Sequence, residues 1–250
     1  MKTESRWCFQ PRSGCTLWHI FMGTSMSKIV PVITIDGPSG VGKGTISQLL
    51  ARHLGWHFLD SGALYRLTAL AARRQGIALE DEALVAPLAA SLAVEFVPTA
   101  DGEAKVLLDN QEVSNDIRTA QAGVDASVVA AHPTVRAALL QRQRDFAQPP
   151  GLIADGRDMG TTVFPNAAHK FFLLASAEVR AKRRYKQLIE KGLDANLGSL
   201  VEEIEQRDER DRTRSASPLR PADDAVSIDT SDKGIDAVFA EVLANCTDVV

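Results

Sequence analysis

A glycine-rich segment near the start of the sequence has the spacing of a phosphate-binding loop. It consists of Gly37, Pro38, Ser39, Gly40, Val41, Gly42, Lys43, Gly44 and Thr45. In such a loop the backbone N–H groups point at a polyphosphate above a helix N-terminus, and the lysine contacts the phosphates. Gly44 departs from this pattern, because a serine or threonine that contacts Mg²⁺ normally stands there. We therefore expect a polyphosphate site whose loop provides no direct metal ligand; a glycine-rich turn without a ligand is the alternative.

Three further clusters of polar residues lie where loops should leave a sheet. The first spans 60–66, and the second spans 156–158, directly after a predicted strand. Loops at the C-terminal ends of parallel strands form the usual ligand side of an open α/β sheet. In the third cluster, charged side chains share one helical face through i, i+3, i+4 and i+7 spacing: Arg207, Arg210, Asp211 and Arg214. A solvated face with weak ion pairs is the alternative for this third cluster.

Strands and helices that alternate along the chain would position these clusters. A β-branched run at 29–35 precedes the glycine-rich loop, and the spacing of Ile46, Leu49 and Leu50 predicts a helix over Lys43–Leu54. Further predicted strands lie near 57–59, 152–155, 170–174 and 225–229. Further predicted helices lie near 61–76, 84–92, 134–146 and 234–244, and long charged helices end near 214. This alternation predicts an α/β fold in which helices flank both faces of a parallel sheet.

The alternation is interrupted between about 87 and 118. Residues 93–97 and 105–108 have the pattern of two hairpin strands around a Thr-Ala-Asp-Gly turn. A short β-type piece follows at Glu112 and Val113. We therefore expect a small β-containing insertion over about 87–118.

Composition and charge exclude several classes of protein. The 250 residues are 45% hydrophobic and 24% charged, which is typical of a globular chain. With 28 Lys and Arg against 32 Asp and Glu, the net charge is −4, which argues against a nucleic-acid partner. The three cysteines form no C-x-x-C pair, which excludes a disulfide framework and a cysteine zinc site. No apolar run approaches the roughly 18 residues that cross a bilayer, and we expect a soluble cytoplasmic protein without a membrane partner.

The first 26 residues differ in character from the rest of the chain. They hold two of the three tryptophans and two of the three cysteines, without helical or strand periodicity. The apolar stretch at 15–22 is interrupted by polar residues and lacks a small-residue cleavage site, so it does not match a secretory signal. We expect a disordered extension over 1–26, or a chain that naturally begins at Met22 or Met26.

Taken together, four ordered motifs resemble those of the bacterial cytidylate kinases, a branch of the nucleoside monophosphate kinases. They read TIDGPSGVGKGT, LDSGALYR, IADGRDMGTTVFP and RDERDR, and the resemblance runs from about Val30 to the C-terminal helix. It implies transfer of the γ-phosphoryl group of ATP to CMP or dCMP, which gives ADP and CDP or dCDP, with Mg²⁺ carried on the nucleotide. It also implies a P-loop three-layer domain over 27–250, with a nucleotide-binding insertion at about 87–118 and a mobile lid at about 180–195. We expect this enzyme to be a monomer whose partners are small molecules.

The resemblance also assigns roles to individual positions. Residues 37–45 would hold the ATP phosphates, and Lys43 would bridge them to the incoming phosphate. The CMP phosphate would be held by Ser61, Arg66, Arg157 and Arg214. The ribose would contact Arg207 and Asp211, and the cytosine would be read by Ser127, Arg136 and Asp158. Lys43, Arg157 and the lid residue Arg184 would be catalytic through alignment and charge stabilisation, because an anionic phosphate oxygen needs no general base.

Several alternatives remain open at this point. Ser61 could be only a helix N-cap, Asp60 and Asp155 could merely end strands, and Arg184 could belong to a basic helix face. A regulatory nucleotide switch is a rival function, although the sequence has no N-K-x-D guanine-reading motif. A P-loop kinase of a small metabolite such as shikimate is another rival, and it would give no reason for a cytosine-reading Asp158.

Overall fold

The computed structural model of the chain describes residues 30–98, 104–190 and 192–246. The strands in chain order are β1 (Val32–Asp36), β2 (His57–Asp60), β3 (Val94–Pro98), β4 (Ala104–Leu108), β5 (Gln111–Glu112), β6 (Leu152–Gly156), β7 (His169–Leu174) and β8 (Val226–Asp229). The helices are α1 (Lys43–Leu54), α2 (Ser61–Arg74), α3 (Glu82–Ser91), α4 (Ala120–Val129), α5 (Pro133–Arg144), α6 (Ala177–Glu190), α7 (Leu197–Thr213) and α8 (Ile235–Ala244). A 3₁₀ turn lies at Asp116–Arg118 and a π-helical turn at Met159–Val163. The predicted extension over 1–26 and the predicted hairpin turn lie outside the described residues.

The central sheet is parallel and has the strand order β2-β6-β1-β7-β8. Alternate residues of a strand face opposite sides of a sheet. Accordingly, Val32 and Leu152 pack into one hydrophobic cluster together with residues of α2 to α5. Their neighbours Ile33 and Ile153 pack into a second cluster with residues of α1 and α8. The predicted α/β fold, a parallel sheet between two layers of helices, is confirmed.

The interruption of the alternation corresponds to a second, antiparallel sheet of the order β3-β4-β5. Val106 and Leu108 of this sheet are buried in the same cluster as α2 to α5, so the small sheet packs on the main core. The predicted hairpin strands are therefore present. The predicted start at 87 falls inside α3, because that helix continues to Ser91 before the first strand begins.

Three elements were not predicted from the sequence, and one of them is the 3₁₀ turn at Asp116–Arg118. Helix α4 combines small residues with a valine pair and has no clear apolar stripe, and its main contacts are with α2. The π-helical turn at Met159–Val163 follows β6 directly and carries no sequence pattern of its own. The long charged region resolves into α6 and α7, which pack on each other through Ala181, Leu200 and Ile204. Within the described residues, no helix is long and apolar enough to cross a membrane.

Candidate active site

The glycine-rich loop connects β1 to α1, which is the predicted context for a phosphate-binding loop. Gly37, Gly40 and Gly42 have positive φ angles of 143°, 82° and 98°. Residues with a side chain rarely adopt this backbone region. A Cβ atom on Gly37 would also collide with the carbonyl oxygen of Leu173 in β7. The loop conformation therefore requires glycine at these positions, and it places Lys43 at the first position of α1.

Lys43 and Asp155 face each other behind this loop. The Lys43 Nζ donates to the Pro38 carbonyl oxygen at 2.9 Å and lies 3.9 Å from Oδ1 of Asp155. Burial lowers the pKa of the Lys43 ammonium to about 8, although the Asp155 charge opposes this shift. Burial likewise raises the pKa of Asp155 to about 6, against the charge of Lys43. Asp155 therefore does more than end a strand, because its carboxylate is the counter-charge of the loop lysine.

A pocket beside the loop collects every substrate-binding residue suggested by the sequence. It is walled by α2, α4, α5, the end of β6 and α7. The predicted residues that line it are Ser61, Arg66, Ser127, Arg136, Arg157, Asp158, Arg207, Asp211 and Arg214. Gly62, Tyr65 and Gly156 also line it; they belong to the predicted clusters 60–66 and 156–158 but were given no individual role. Ala126 and Ala130 line it as well and were not predicted from the sequence. We call this space the acceptor pocket.

Arg157, Arg207 and Asp211 form a buried charge cluster at one side of the acceptor pocket. The Arg157 Nε donates to Oδ2 of Asp211. Burial alone would raise the pKa of Asp211, but the charges of Arg157, Arg207 and Arg214 outweigh it and hold that pKa below its usual value. Burial, aided by the charge of Arg157, lowers the pKa of Arg207 to about 9.

This geometry corrects the prediction for the charged face of α7. Arg207, Asp211 and Arg214 turn inward, so the alternative of a solvated face is wrong for them. Arg210 is exposed and donates to the carbonyl oxygen of Gln206 in its own helix. The i, i+3 spacing grouped Arg210 with the others, but the packed side of the helix runs through Ile204 and Asp208 instead.

Asp158 and Arg136 form an ion pair at the other side of the acceptor pocket. Asp158 is only 3% exposed, and its Oδ2 accepts from Nη2 of Arg136. Its Oδ1 lies 3.9 Å from Nη2 of Arg214. The Arg136 guanidinium also lies over the ring of Tyr65, 5.6 Å from its centroid. This arrangement fixes a carboxylate between two guanidinium groups.

Three arginine N–H groups in this region are buried and have no hydrogen-bond partner in the described part of the chain. They are Nε of Arg66, Nε of Arg207 and Nη2 of Arg214. A buried donor without a partner is costly, and in native proteins it is usually satisfied by a group outside the chain. Because these donors belong to positively charged groups, an anion with several acceptor oxygens would satisfy them.

The structure corrects the alternative reading of Ser61 as an N-cap. Asp60 has the extended backbone of a capping residue, and its Oδ1 accepts from the Ala63 N–H at 3.0 Å. Ser61 is already the first helical residue, and its hydroxyl donates to Oε1 of Gln143 at 2.6 Å. Ser61 thus lines the acceptor pocket while its hydroxyl proton is engaged by Gln143 of α5.

Arg184 lies on α6 and lines a wider cleft together with residues 39–45 of the loop, whereas Gly37 and Pro38 do not line it. The basic residues around it have other partners. Arg183 donates to the carbonyl oxygen of Thr230, and Arg180 donates to the Ser39 carbonyl oxygen at 3.1 Å and pairs with Asp208. Arg180 was not assigned from the sequence, because its contacts join segments far apart in the chain.

The acceptor pocket and the wider cleft share part of their walls. The residues that line both are Gly62, Arg66, Gly156, Arg157 and Arg207. A group held by the loop and a group held in the acceptor pocket would therefore meet beside these arginines. Among the described residues, no group of three or more His, Cys, Asp or Glu side chains is placed to hold a metal ion.

Comparison with known proteins gives a consistent result. A family model described as cytidylate kinase matches residues 33–248. A cytidylate kinase from Shewanella denitrificans is 60% identical over 219 residues, which are 87% of this chain and 96% of that protein. One from Photobacterium profundum is 58% identical over 220 residues, which are 88% of this chain and 96% of that protein.

Among solved structures, a gluconokinase from Sinorhizobium meliloti 1021 matches with a TM-score of 0.45 and 15% identity, and covers 88% of this chain and 93% of its own. A likeness of that size carries no argument about function. The family model and the two relatives carry the assignment: this chain is an enzyme of the cytidylate kinase family.

Proposed function

We propose that this enzyme transfers the γ-phosphoryl group of ATP to CMP or dCMP, which gives ADP and CDP or dCDP. The observation that carries the proposal is the wall shared by the acceptor pocket and the loop cleft, where Arg66, Arg157 and Arg207 line both spaces. Phosphoryl transfer needs a donor and an acceptor phosphate in line, with positive charge around the transferred group. The shared arginines provide that charge at the place where the two phosphates would meet.

The acceptor phosphate would be bound by the donors that have no partner within the described chain. Arg66, Arg207 and Arg214 line the acceptor pocket, and each carries one such N–H group. Ser61 and Arg157 line the same pocket, and binding a phosphate would require the Ser61 hydroxyl to turn away from Gln143. No side chain has to remove a proton, because the phosphate oxygen of a nucleoside monophosphate is already an anionic nucleophile.

The base would be recognised by the Asp158 carboxylate together with Arg136 and Ser127. Cytosine presents an N4 amino donor beside the N3 and O2 acceptors, so it needs one acceptor and nearby donors. Asp158 supplies the acceptor, and the Arg136 pair holds it in place. Uracil has an oxygen in place of the amino group, so a carboxylate facing it would oppose two acceptors.

The donor phosphates would be held by 37–45, with Lys43 placed between donor and acceptor and Arg184 completing the charge from α6. The residues present fit a Mg²⁺ ion that is carried mainly by the nucleotide. Mg²⁺ prefers oxygen ligands and usually binds through one or two carboxylates together with phosphates and water. Asp155 is the carboxylate at the loop lysine, and Gly44 offers no side-chain oxygen. The bound ion would supply neutralisation of the phosphate charge.

The remaining predictions concern motion, assembly and location. A lid at about 180–195 would close over ATP and exclude water, because hydrolysis would otherwise compete with transfer. This range covers all but the first three residues of α6 and most of the connection to α7. A cytoplasmic monomer without a nucleic-acid or membrane partner also stays a prediction.

A single assay tests the proposed function. The full chain is incubated with ATP and Mg²⁺ and with CMP, dCMP, UMP, AMP or GMP in turn, and ADP formation is followed by a coupled reaction. We expect CMP and dCMP to give the highest kcat/KM. Shikimate and gluconate serve as the arms for small-metabolite kinases, and GTP as the donor arm for a guanine-nucleotide switch. Turnover of a metabolite in place of the monophosphates would contradict the proposal.

A further inference from the structure

Asp36 is a buried carboxylate at the junction of the two halves of the site. It is the last residue of β1, directly before Gly37 of the phosphate loop, and only 4% of its surface is exposed. Both of its oxygens accept hydrogen bonds from consecutive backbone N–H groups. Oδ1 accepts from Met159 at 2.9 Å, and Oδ2 accepts from Gly160 at 2.8 Å.

These two amides lie immediately after the residues that face the acceptor. Gly156 ends β6 and is the register neighbour of Asp36 in β1, so the sheet fixes the backbone before Arg157. Met159 and Gly160 begin the π-helical turn, so the Asp36 carboxylate fixes the backbone after Asp158. The same residue thus holds both ends of the two-residue segment that presents Arg157 and Asp158 to the pocket.

The packing around the turn leaves it little freedom to settle elsewhere. Met159 is fully buried, and its side chain fills the space beside Gly156, where a Cβ atom would lie 2.7 Å from Met159 Cγ. A Cβ atom on Gly160 would lie 2.9 Å from Oγ1 of Thr34. Two buried donors at the first residues of a helical turn have no partner within the turn. An acceptor with two oxygens on β1 satisfies both, and no neutral side chain of the same shape does so.

From this geometry we infer that Asp36 is a positioning residue for the phosphate acceptor, because its carboxylate sets where Arg157 and Asp158 stand in the acceptor pocket. The inference rests on the proposed function and deepens it. If Asp36 only stabilised the fold, its replacement would change the KM values for both nucleotides alike. A positioning role confines its effect to the nucleotide that Arg157 and Asp158 contact.

The test compares the full-length wild type with Asp36→Asn, which keeps the shape but turns an NH₂ group toward one of the two N–H donors. We expect the KM for CMP to rise about tenfold, since opposed buried donors displace the turn. The KM for ATP should stay within about twofold, because Gly37 and its neighbours hold the loop by their own backbone geometry. The ratio of kcat/KM for CMP over UMP should also fall. Equal rises in both KM values, or an unchanged KM for CMP, would overturn the inference.

Asp229→Asn is the matched control. Asp229 also ends a strand of the same sheet, and its carboxylate accepts from the Ser231 N–H at 2.8 Å, away from the acceptor pocket. The same chemical change there should leave both KM values unchanged. A rise in the KM for CMP in this variant as large as in Asp36→Asn would count against the inference.

A measurement on the wild type keeps the inference testable if Asp36→Asn does not fold, or if CMP is not the substrate. Amide resonances of labelled protein are followed by NMR while Asp36 is titrated. Burial raises the pKa of Asp36 to about 7, although the two backbone hydrogen bonds oppose this shift. The charged groups that face Asp36 are Asp158 and Lys43. The resonances of Arg157 and Asp158 should shift together with those of Met159 and Gly160. If only the latter two shift, Asp36 does not position the segment. Failure of CMP turnover in the wild type would instead refute the proposed function alone.

Discussion

Replacement of Asp158 by asparagine gives the sharpest test of how the pocket would choose its base. The carboxylate is buried between Arg136 and Arg214, so its position is fixed before a nucleotide binds. Asparagine has the same shape, and its carbonyl oxygen and NH₂ group can each face the base. Asp158→Asn therefore leaves the volume of the pocket nearly unchanged, and it removes both the acceptor that would face the base and the charge that pairs with Arg136 and Arg214.

The size of the effect follows from the kind of hydrogen bond that is lost. A hydrogen bond to a charged group contributes about 1.5–3 kcal/mol. Its loss should lower kcat/KM for CMP by about 10- to 150-fold. For UMP the change has the opposite sign, because the amide can donate to the uracil oxygen that the carboxylate opposes. The ratio of kcat/KM for CMP over UMP should therefore fall by at least about tenfold.

The assay is the coupled ADP assay with CMP and UMP, accompanied by urea unfolding of each variant. Asp125→Asn is a matched control, because Asp125 is also a buried carboxylate paired with an arginine, Arg73, but does not line the acceptor pocket. We expect that control to lower stability and to leave the base ratio unchanged. Equal losses on CMP and UMP in Asp158→Asn would assign Asp158 to catalysis or folding and refute its role in base recognition.

Three further predictions concern the loop, the buried carboxylates and the arginines. Lys43→Ala should lower kcat by about 10²–10³, with smaller changes in KM. Lys43→Arg should not restore kcat, because a planar guanidinium does not replace a compact ammonium. If Lys43→Ala keeps a kcat within about threefold of wild type in the coupled assay, the role of Lys43 is refuted. The pKa values of Asp36 and Asp155 in the folded state are about 7 and about 6, above the ordinary value of 3.8. The stability that these two carboxyl groups contribute is therefore complete below pH 3.8 and is lost as the pH rises through their folded-state pKa values. In urea unfolding, Asp36→Asn should accordingly gain stability relative to the wild type as the pH rises from about 4 to about 7. A constant difference over this range would contradict the raised pKa. CMP should raise the melting temperature of the wild type far more than cytidine at the same concentration, because only CMP brings a phosphate to Arg66 and Arg207; equal shifts would place the binding energy in the base and ribose.

The parts of the molecule that were predictable from sequence are those with strong local signals. The phosphate loop was predictable because glycine spacing, a β-branched strand before it and an apolar helix after it all agree. The inward side of α7 was only partly predictable, since helical spacing groups Arg210 with Arg207, and only the packed fold separates them. Helix α4 was missed because its burial depends on α2 and not on an apolar stripe of its own.

Contacts between distant segments were beyond sequence reasoning for a different physical reason. The pairing of Lys43 with Asp155 depends on the register of β1 against β6, which places the ends of the two strands side by side. The hydrogen bonds of Asp36 depend in addition on an unpredicted π-helical turn. No periodicity within either segment encodes such an interaction. The resemblance to the family supplied residue roles, whereas the reason that those residues are held in place came only from the structure.

The arginines of the acceptor pocket show how folding stability and ligand binding are opposed in this site. Burial, together with the charges of neighbouring arginines, lowers the pKa values of Arg207 and Arg214, which means that the folded chain holds these cations at a cost. Asp211 and Asp158 offset part of that cost, but buried N–H donors on both arginines still lack a hydrogen-bond partner within the described chain. An anion that binds here can supply the hydrogen bonds and the negative charge that the chain itself does not provide. A phosphate brings both the charge and several acceptor oxygens. The residues that weaken the fold are thus the ones that would give a phosphorylated ligand its affinity, so removing Arg207 or Arg214 should weaken phosphate binding without a matching loss of folding stability.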